Sequence, residues 1–419
     1  MQMARILDAI LKTVGLRQTA AASVKAGAAT PAATTTAMTA ATTAARTLSA
    51  APMNEFAAHV YAKLAEDSAG NIFFSPYSIH VAMTMMTAGA KGETAQQLAA
   101  LLGDGATADE RNAHAKQIAA SLRDAQSDGA ITLKVANRVW MLNKLAVLDS
   151  YQRTLRDYFS SAMVPADFIG NVAGVRSEIN GWVGRETGNK ICDLIADGMI
   201  TLETRMLLVN AIYFYGEWLD AFKTKSTTDE PFKLDDASTV NVPLMYGHFD
   251  HLPYAESDAA QIVQLPYKNG RMAMLVVLPK PGANHILKEG NVAANTGNLP
   301  SREVKLWLPR FKSSGEFEVS RVLMALGAKN AFGGEADFSG MTGHRDLYLS
   351  AMIHKAVIEV NEKGTEAAAA TAGYLELGAE PPPEPPVEFR ADHPFIYAII
   401  DRWTRAILFL GRMVNPAAN

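Results

Sequence analysis

Residues 353–386 constrain this chain more than any other stretch. The first part, His354-Lys355-Ala356-Val357-Ile358-Glu359-Val360-Asn361, alternates with His354, Ala356, Ile358 and Val360 on one face, which predicts a strand packed on a core. Glu362-Lys363-Gly364 then reads as a chain reversal or hinge. From Thr365 the period of two resumes in small residues. Thr365, Ala367, Ala369, Thr371, Gly373, Leu375 and Leu377 share one face, and the acids Glu366 and Glu376 lie on the other with Ala368, Ala370, Ala372 and Tyr374. No proline interrupts residues 365–380, whereas prolines crowd residues 381–386. A strand inside a sheet needs every backbone N–H, so this boundary separates a stretch able to join a sheet from one that cannot. An alanine-rich helix competes on local propensity. A segment with two accessible states is what a conformational switch requires.

The rest of the composition narrows the function classes. At 419 residues the chain has the length of about three average domains, yet 48% hydrophobic and 20% charged residues describe one ordinary globule equally well. Lys and Arg number 39 against 43 Asp and Glu, a net charge of −4 with no basic stripe, which argues against nucleic acid as a partner. The lone Cys192 excludes an intramolecular disulfide and any thiolate-rich metal site, leaving either a reactive thiol or an inert buried one. Residues 395–414, the most apolar long run, are broken by Asp401, Arg402, Arg405 and Arg412 and do not read as a membrane span. No G-x-S-x-G, H-E-x-x-H or phosphate-loop motif occurs, and Lys91 in Gly89-Ala90-Lys91-Gly92-Glu93-Thr94 precedes the second glycine, so that run reads as a helix-to-helix turn. His248, Asp250 and His251 are the one tight cluster of metal-capable side chains. They read as an exposed loop between Gly and Pro without a metal, because nothing in the sequence nominates further ligands. His354 reads as a satisfied core histidine.

Along the chain, residues 1–51 stand apart. Residues 18–50 are dominated by alanine and threonine, with Lys25 and Arg46 the only charges, and have too little bulk for a core. Before them, Ile6, Ile10, Leu11 and Val14 with Arg5, Lys12 and Arg17 resemble an organelle transit peptide; an unstructured extension is the alternative. Residues 54–65 and 76–88 predict two opening helices, and 272–278, 304–308 and 406–410 predict strands. Helices dominate the first half and strands the second without βαβ alternation, so the expected class is α+β. Residues 108–128 predict a helix whose Arg111, Lys116 and Arg123 mix with Asp109, Glu110 and Asp124, a solvated face and not a heparin-type stripe.

Several ordered blocks give a family resemblance: Asn71-Ile72-Phe73-Phe74-Ser75-Pro76-Tyr77-Ser78-Ile79, Val209-Asn210-Ala211-Ile212-Tyr213-Phe214-Tyr215-Gly216-Glu217-Trp218, Leu265-Pro266-Tyr267, Leu308-Pro309-Arg310-Phe311, His354-Lys355-Ala356, Val360-Asn361-Glu362-Lys363-Gly364-Thr365-Glu366-Ala367 and Asp392-His393-Pro394-Phe395. In order and separation they resemble the signature blocks of serpins across residues 52–419. The resemblance implies one domain with a large central sheet, about nine helices and an exposed reactive-centre loop over about residues 362–389. It implies a suicide-substrate inhibitor of serine proteases, a monomer needing no cofactor or metal, with loop cleavage, acyl-enzyme trapping and insertion of residues 365–378 as a new strand. At roughly 3.3 Å per residue that strand spans about 46 Å. The loop hinge would comprise Glu362, Gly364, Thr365, Ala367, Ala368, Ala369, Ala370 and Thr371, whose small side chains spare the desolvation that a bulky or charged one would cost. Ser75, Ser78, Asn210 and His354 match the polar cluster beneath the strands that part. Trp218 matches the point of first insertion, and Arg310 with Glu362 matches a salt-bridged pair there.

Counting forward from Glu362 places the scissile bond at Gly378-Ala379, with Leu377-Gly378 and Leu375-Glu376 as alternatives; counting back from Phe389 and Pro394 places it among the prolines. Small Gly378 and Ala379 favour an elastase-, chymotrypsin- or subtilisin-like protease. A trypsin-like enzyme needs a cation, and no Lys or Arg lies between Lys363 and Arg390. The resemblance suggests the extracellular space, with organelle or cytoplasm open because no clear secretory signal is present. A non-inhibitory relative acting as a binding, carrier or chaperone protein is the alternative function.

Overall fold

The computed structural model describes residues 50–364 and 385–418. The expectations on the extension before residue 50, and on the loop from Thr365 to the residue before Pro385, lie outside them. Runs dense in Val, Ile, Leu, Phe and Met suit a pleated buried surface and form the strands: β1 (Ile72–Phe74), β2 (Ile131–Leu142), β3 (Met163–Ala166), β4 (Met206–Gly216), β5 (Thr228–Lys233), β6 (Thr239–Glu256), β7 (Ala260–Pro266), β8 (Met272–Pro279), β9 (Ser301–Pro309), β10 (Phe311–Glu318), β11 (Ala351–Val360), β12 (Val387–Arg390), β13 (Phe395–Asp401) and β14 (Ala406–Met413). Nine α-helices lie among the described residues, the six longest being α1 (Ala51–Asp67), α2 (Pro76–Gly89), α3 (Gly92–Leu102), α4 (Ala108–Asp124), α5 (Asp149–Phe159) and α6 (Val172–Glu186). The expected α+β class, both opening helices and all three expected strands are present. The turn expected at residues 89–94 joins α2 to α3.

Local chemistry sets the helix starts. Ser75 caps α2, accepting the Ser78 N–H at 3.1 Å, and Pro76 follows at the first helical position, where its missing donor costs nothing. Thr107 and Glu110 form a reciprocal capping box at α4.

The strands make two sheets. One has five strands in the order β10-β11-β4-β2-β3; the other runs β1-β14-β13-β8-β7-β6-β9-β12, with β5 beside β6. In the five-stranded sheet every pair but two is antiparallel. The exceptions are β2 with β3, and β11 with β4, which run side by side from Ala351 opposite Leu207 to Ile358 opposite Phe214.

Both faces of this sheet are covered, and alternation sorts its residues. On one face Leu207, Val209, Ala211, Tyr213, Ile353 and Val357 pack with Ile179, Trp182 and Val183 of α6. On the other face the apolar residues fall into two separate clusters. Val139, Met141, Met206, Leu208 and Met352 belong to one; Ile131, Leu133, Ile212, Phe214, Ala356, Ile358 and Val360 belong to the other.

Four findings differ from the sequence reading, the first being Arg111, which is not solvated but buried and paired with Asp104 at 2.7 Å. Residues 248–251 are not a loop but lie within the long strand β6, where a bulge between Phe249 and Leu252 breaks the period of two and hides the strand. Cys192 is exposed, so the inert buried alternative falls. Residues 387–389, counted above with the loop, are the first residues of β12, which pairs parallel with β9. No helix among the described residues is long and apolar enough to cross a membrane.

Candidate functional site

The gap between the two apolar clusters is filled by a polar row. Asn137 on β2 stands opposite Asn210 on β4, which stands opposite His354 on β11. Asn210 Nδ2 donates to Asn137 Oδ1, and Asn210 Oδ1 pairs with His354 Nδ1. Beneath the row, α2 supplies Ser75 and Ser78. Asn210 Nδ2 donates to the Ser78 carbonyl at 3.1 Å, the Ser75 N–H donates to His354 Nε2 at 3.0 Å, and Ser75 Oγ donates to the Leu408 carbonyl at 2.6 Å. Ser75, Ser78, Asn210 and His354 are fully buried, and the structure brings all four together. Asn137 is a member that the sequence reading missed; Thr132, Lys134 and Arg138 share its strand, so a polar residue there carried no signal.

The network fixes the state of His354. Since Nε2 accepts from a backbone N–H, the proton sits on Nδ1 and points at Asn210 Oδ1. Burial with no neighbouring carboxylate pulls its pKa from 6.5 down to about 3. The bond between Asn210 and His354 crosses the seam between β4 and β11, and at this level the seam is held by polar contacts, which water can replace, in place of apolar ones, which it cannot.

At the Gly216 end of β4 the seam closes over a second group. The chain leaves β11 at Val360 and reverses through Asn361 to Gly364, which bridge each other. Trp218 N–H donates to the Lys363 carbonyl at 3.2 Å, its indole N–H to the Asn361 carbonyl at 2.9 Å, and Phe222 N–H to the Glu362 carbonyl at 2.8 Å. The Glu362 carboxylate, buried, accepts from Thr227 Oγ1 at 2.7 Å and from Arg310 Nη1 at 3.4 Å. Trp218 stacks on Tyr267, with ring centroids 4.6 Å apart. Trp218, Arg310 and Glu362 thus lie together around the reversal, joined by Tyr267 of the Leu265-Pro266-Tyr267 block and by Thr227, which the sequence reading did not single out. Of the expected hinge residues, Glu362 and Gly364 are described, whereas Thr365, Ala367, Ala368, Ala369, Ala370 and Thr371 lie outside the described residues, as do Gly378 and Ala379.

Gly364 is required where it stands. Its φ of +79° lies in the left-handed region, and a Cβ would come within 2.3 Å of the Trp218 nitrogen and 2.4 Å of the Gly216 oxygen, both backbone atoms. Left-handed geometry alone costs a residue with a side chain about 1 to 2 kcal/mol. Gly364→Ala is therefore expected to destabilise the protein by about 2 kcal/mol or more, read as a lower urea midpoint at unchanged slope. An unchanged midpoint would show that the reversal is not held against Trp218.

Acid tests the polar row. Unfolded His354 takes its proton near pH 6.5 and folded His354 only near 3; half-buried His80 is likewise pulled down to about 4, chiefly by desolvation. Between these values the unfolded chain binds the extra protons. Stability is then full above about pH 7 and falls as the solution is acidified, by about 1.4 kcal/mol per pH unit for each histidine. Thermal melts from pH 7.5 to pH 4.5 should show a falling midpoint, with a shallower fall in His354→Asn. Equal slopes would mean that His354 is not held neutral.

A sheet whose parallel middle pair closes over a polar row, with a reversal pinned at one end of that pair, defines a serpin architecture. The chain belongs to the serpin family: the family model, described as serpin (serine protease inhibitor), matches residues 51–416. Leukocyte elastase inhibitor of Bos taurus is 36% identical over 387 residues, covering 88% of this chain and 99% of that protein. Among solved structures, Arabidopsis AtSerpin1 in its native stressed conformation is 31% identical with a TM-score of 0.76, covering 88% of this chain and 97% of its own. Human thyroxine-binding globulin is 28% identical with a TM-score of 0.77, covering 88% and 98%.

Proposed function

We propose that this protein inhibits serine proteases as a suicide substrate. The protease attacks the loop at Gly378-Ala379, its serine forms an ester with the Gly378 carbonyl, and residues 365–378 enter the seam between β4 and β11, carrying the protease with them. The observation that supports this reading best is the direct parallel pairing of β4 with β11. A segment that reverses at residues 361–364 would run antiparallel to both. Insertion would replace one parallel interface by two antiparallel ones, which are somewhat stronger per residue. The hinge residues Gly364, Thr365 and Ala367 to Ala370 carry no bulk or charge to impede entry, and the relative named as a leukocyte elastase inhibitor supports an elastase-like target.

The likeness to thyroxine-binding globulin supports a second reading, a carrier or binding protein that does not trap proteases. Incubation with elastase, chymotrypsin, subtilisin and trypsin separates the two. The proposal expects an SDS-stable complex near one-to-one stoichiometry with at least one of the first three and none formed rapidly with trypsin, and mass spectrometry of the released C-terminal peptide should begin at Ala379. Clean cleavage of the loop with no complex from any of these enzymes would favour the carrier.

A further inference from the structure

The cluster of His248, Asp250 and His251 lacked a partner in sequence, and the fold supplies one. On β6 Phe249 stands opposite Val304 and Leu252 opposite Arg302, so Asp250 and His251 together face the single residue Glu303 of β9. Such a bulge turns the side chains beside it. A ring nitrogen of His248 and one carboxylate oxygen each from Asp250 and Glu303 lie within 4.8 Å of one another, and His248 Nε2 is 2.7 Å from Glu303 Oε1. Among the described residues no side chain donates to the Asp250 carboxylate, and two carboxylates held this close repel unless a cation lies between them.

We propose that His248, Asp250 and Glu303 bind a divalent transition-metal ion of the zinc type. One imidazole and two carboxylates suit zinc, and the imidazole disfavours magnesium and calcium, which take oxygen donors. Three protein ligands leave the fourth position of a tetrahedral ion to water. Two of the three ligands, Asp250 and Glu303, line an open cleft together with His251, Tyr254, Arg302 and Val387. Lys305 stands opposite His248 in register and Arg302 lines the same cleft, and both are cations that would compete with the metal. The ion would tie β6 to β9, and β9 also holds β12, where the chain returns from the loop. The site is independent of the trapping mechanism, so its test can fail while that reading stands.

The full chain, stripped with EDTA, is titrated with Zn2+ by calorimetry and with Co2+ by absorption. The expected result is one saturable site per chain, with a Co2+ spectrum of low coordination number and no competition from excess Mg2+. His248→Gln, Asp250→Asn and Glu303→Gln should each weaken Zn2+ by about tenfold or more, at least the loss typical of a supporting residue around a metal, whereas His251→Gln should match the parent. Imidazole resonances of the parent protein report on His248 without any variant. The absence of saturable Zn2+ binding, or binding that survives in the His248→Gln/Glu303→Gln double variant, would overturn the proposal and leave the group as an exposed ion pair.

Discussion

Thr365→Arg is expected to leave cleavage of the loop intact while converting the protein from an inhibitor into a substrate. Thr365 follows directly on Gly364, whose backbone lies against Trp218 and Gly216, so it would be the first side chain to pass between β4 and β11. The face it would meet is that of Ile358, Val360 and Phe214, which are buried and apolar. Burying a guanidinium there without a partner costs several kcal/mol, and each 1.4 kcal/mol slows insertion about tenfold. Hydrolysis of the acyl-enzyme then outruns trapping. The stoichiometry of inhibition should rise by more than about tenfold, with cleaved protein as the product. A variant that still formed complex at the parent stoichiometry would refute insertion at the hinge.

The second large effect concerns stability. A nick in the loop should raise the unfolding midpoint by tens of degrees, although cutting a chain normally lowers stability. In a domain of this size about 1 kcal/mol shifts the midpoint by only about 2 °C, so no single contact can give such a rise. A new central strand can. It would pair with β4 and β11 along their whole length, separate two strands now joined in parallel, and bury Leu375, Leu377 and the alanine methyls. The bonds that hold the reversal, from Trp218 and Phe222 to the carbonyls of residues 361–363, would be exchanged for ladder bonds. Scanning calorimetry on intact and loop-cleaved protein reads the difference directly. An unchanged or lower midpoint after cleavage would favour the carrier function.

Individual parts of this site were legible because they are local, whereas the grouping of Ser75, Ser78, Asn210 and His354, and of Trp218, Arg310 and Glu362, came only from the family resemblance. A strand that alternates through His354, a glycine at the reversal and a serine before Pro76 each announce themselves within a few residues. What could not be read is which strands lie side by side. Asn137, Asn210 and His354 are far apart in the chain, and only register places them in one row between two apolar clusters. The block Leu265-Pro266-Tyr267 gave no hint that Tyr267 stacks on Trp218, which lies on a different strand connection. The misreading of residues 248–251 has the same origin. A bulge removes the alternation that identifies a strand, Gly247 and Pro253 imitate loop punctuation, and Glu303 comes from a different strand altogether.

The central claim is that residues 365–378 become a strand between β4 and β11, and amide hydrogen exchange tests it most directly. Exchange is measured on the intact protein, on the loop-cleaved protein and on the covalent complex with elastase. The account predicts that amides of residues 365–378 exchange rapidly in the intact chain. In the other two states they should become protected to the level of β4 and β11 themselves. Amides that still exchange rapidly after cleavage, with the protection of β4 and β11 unchanged, would contradict it.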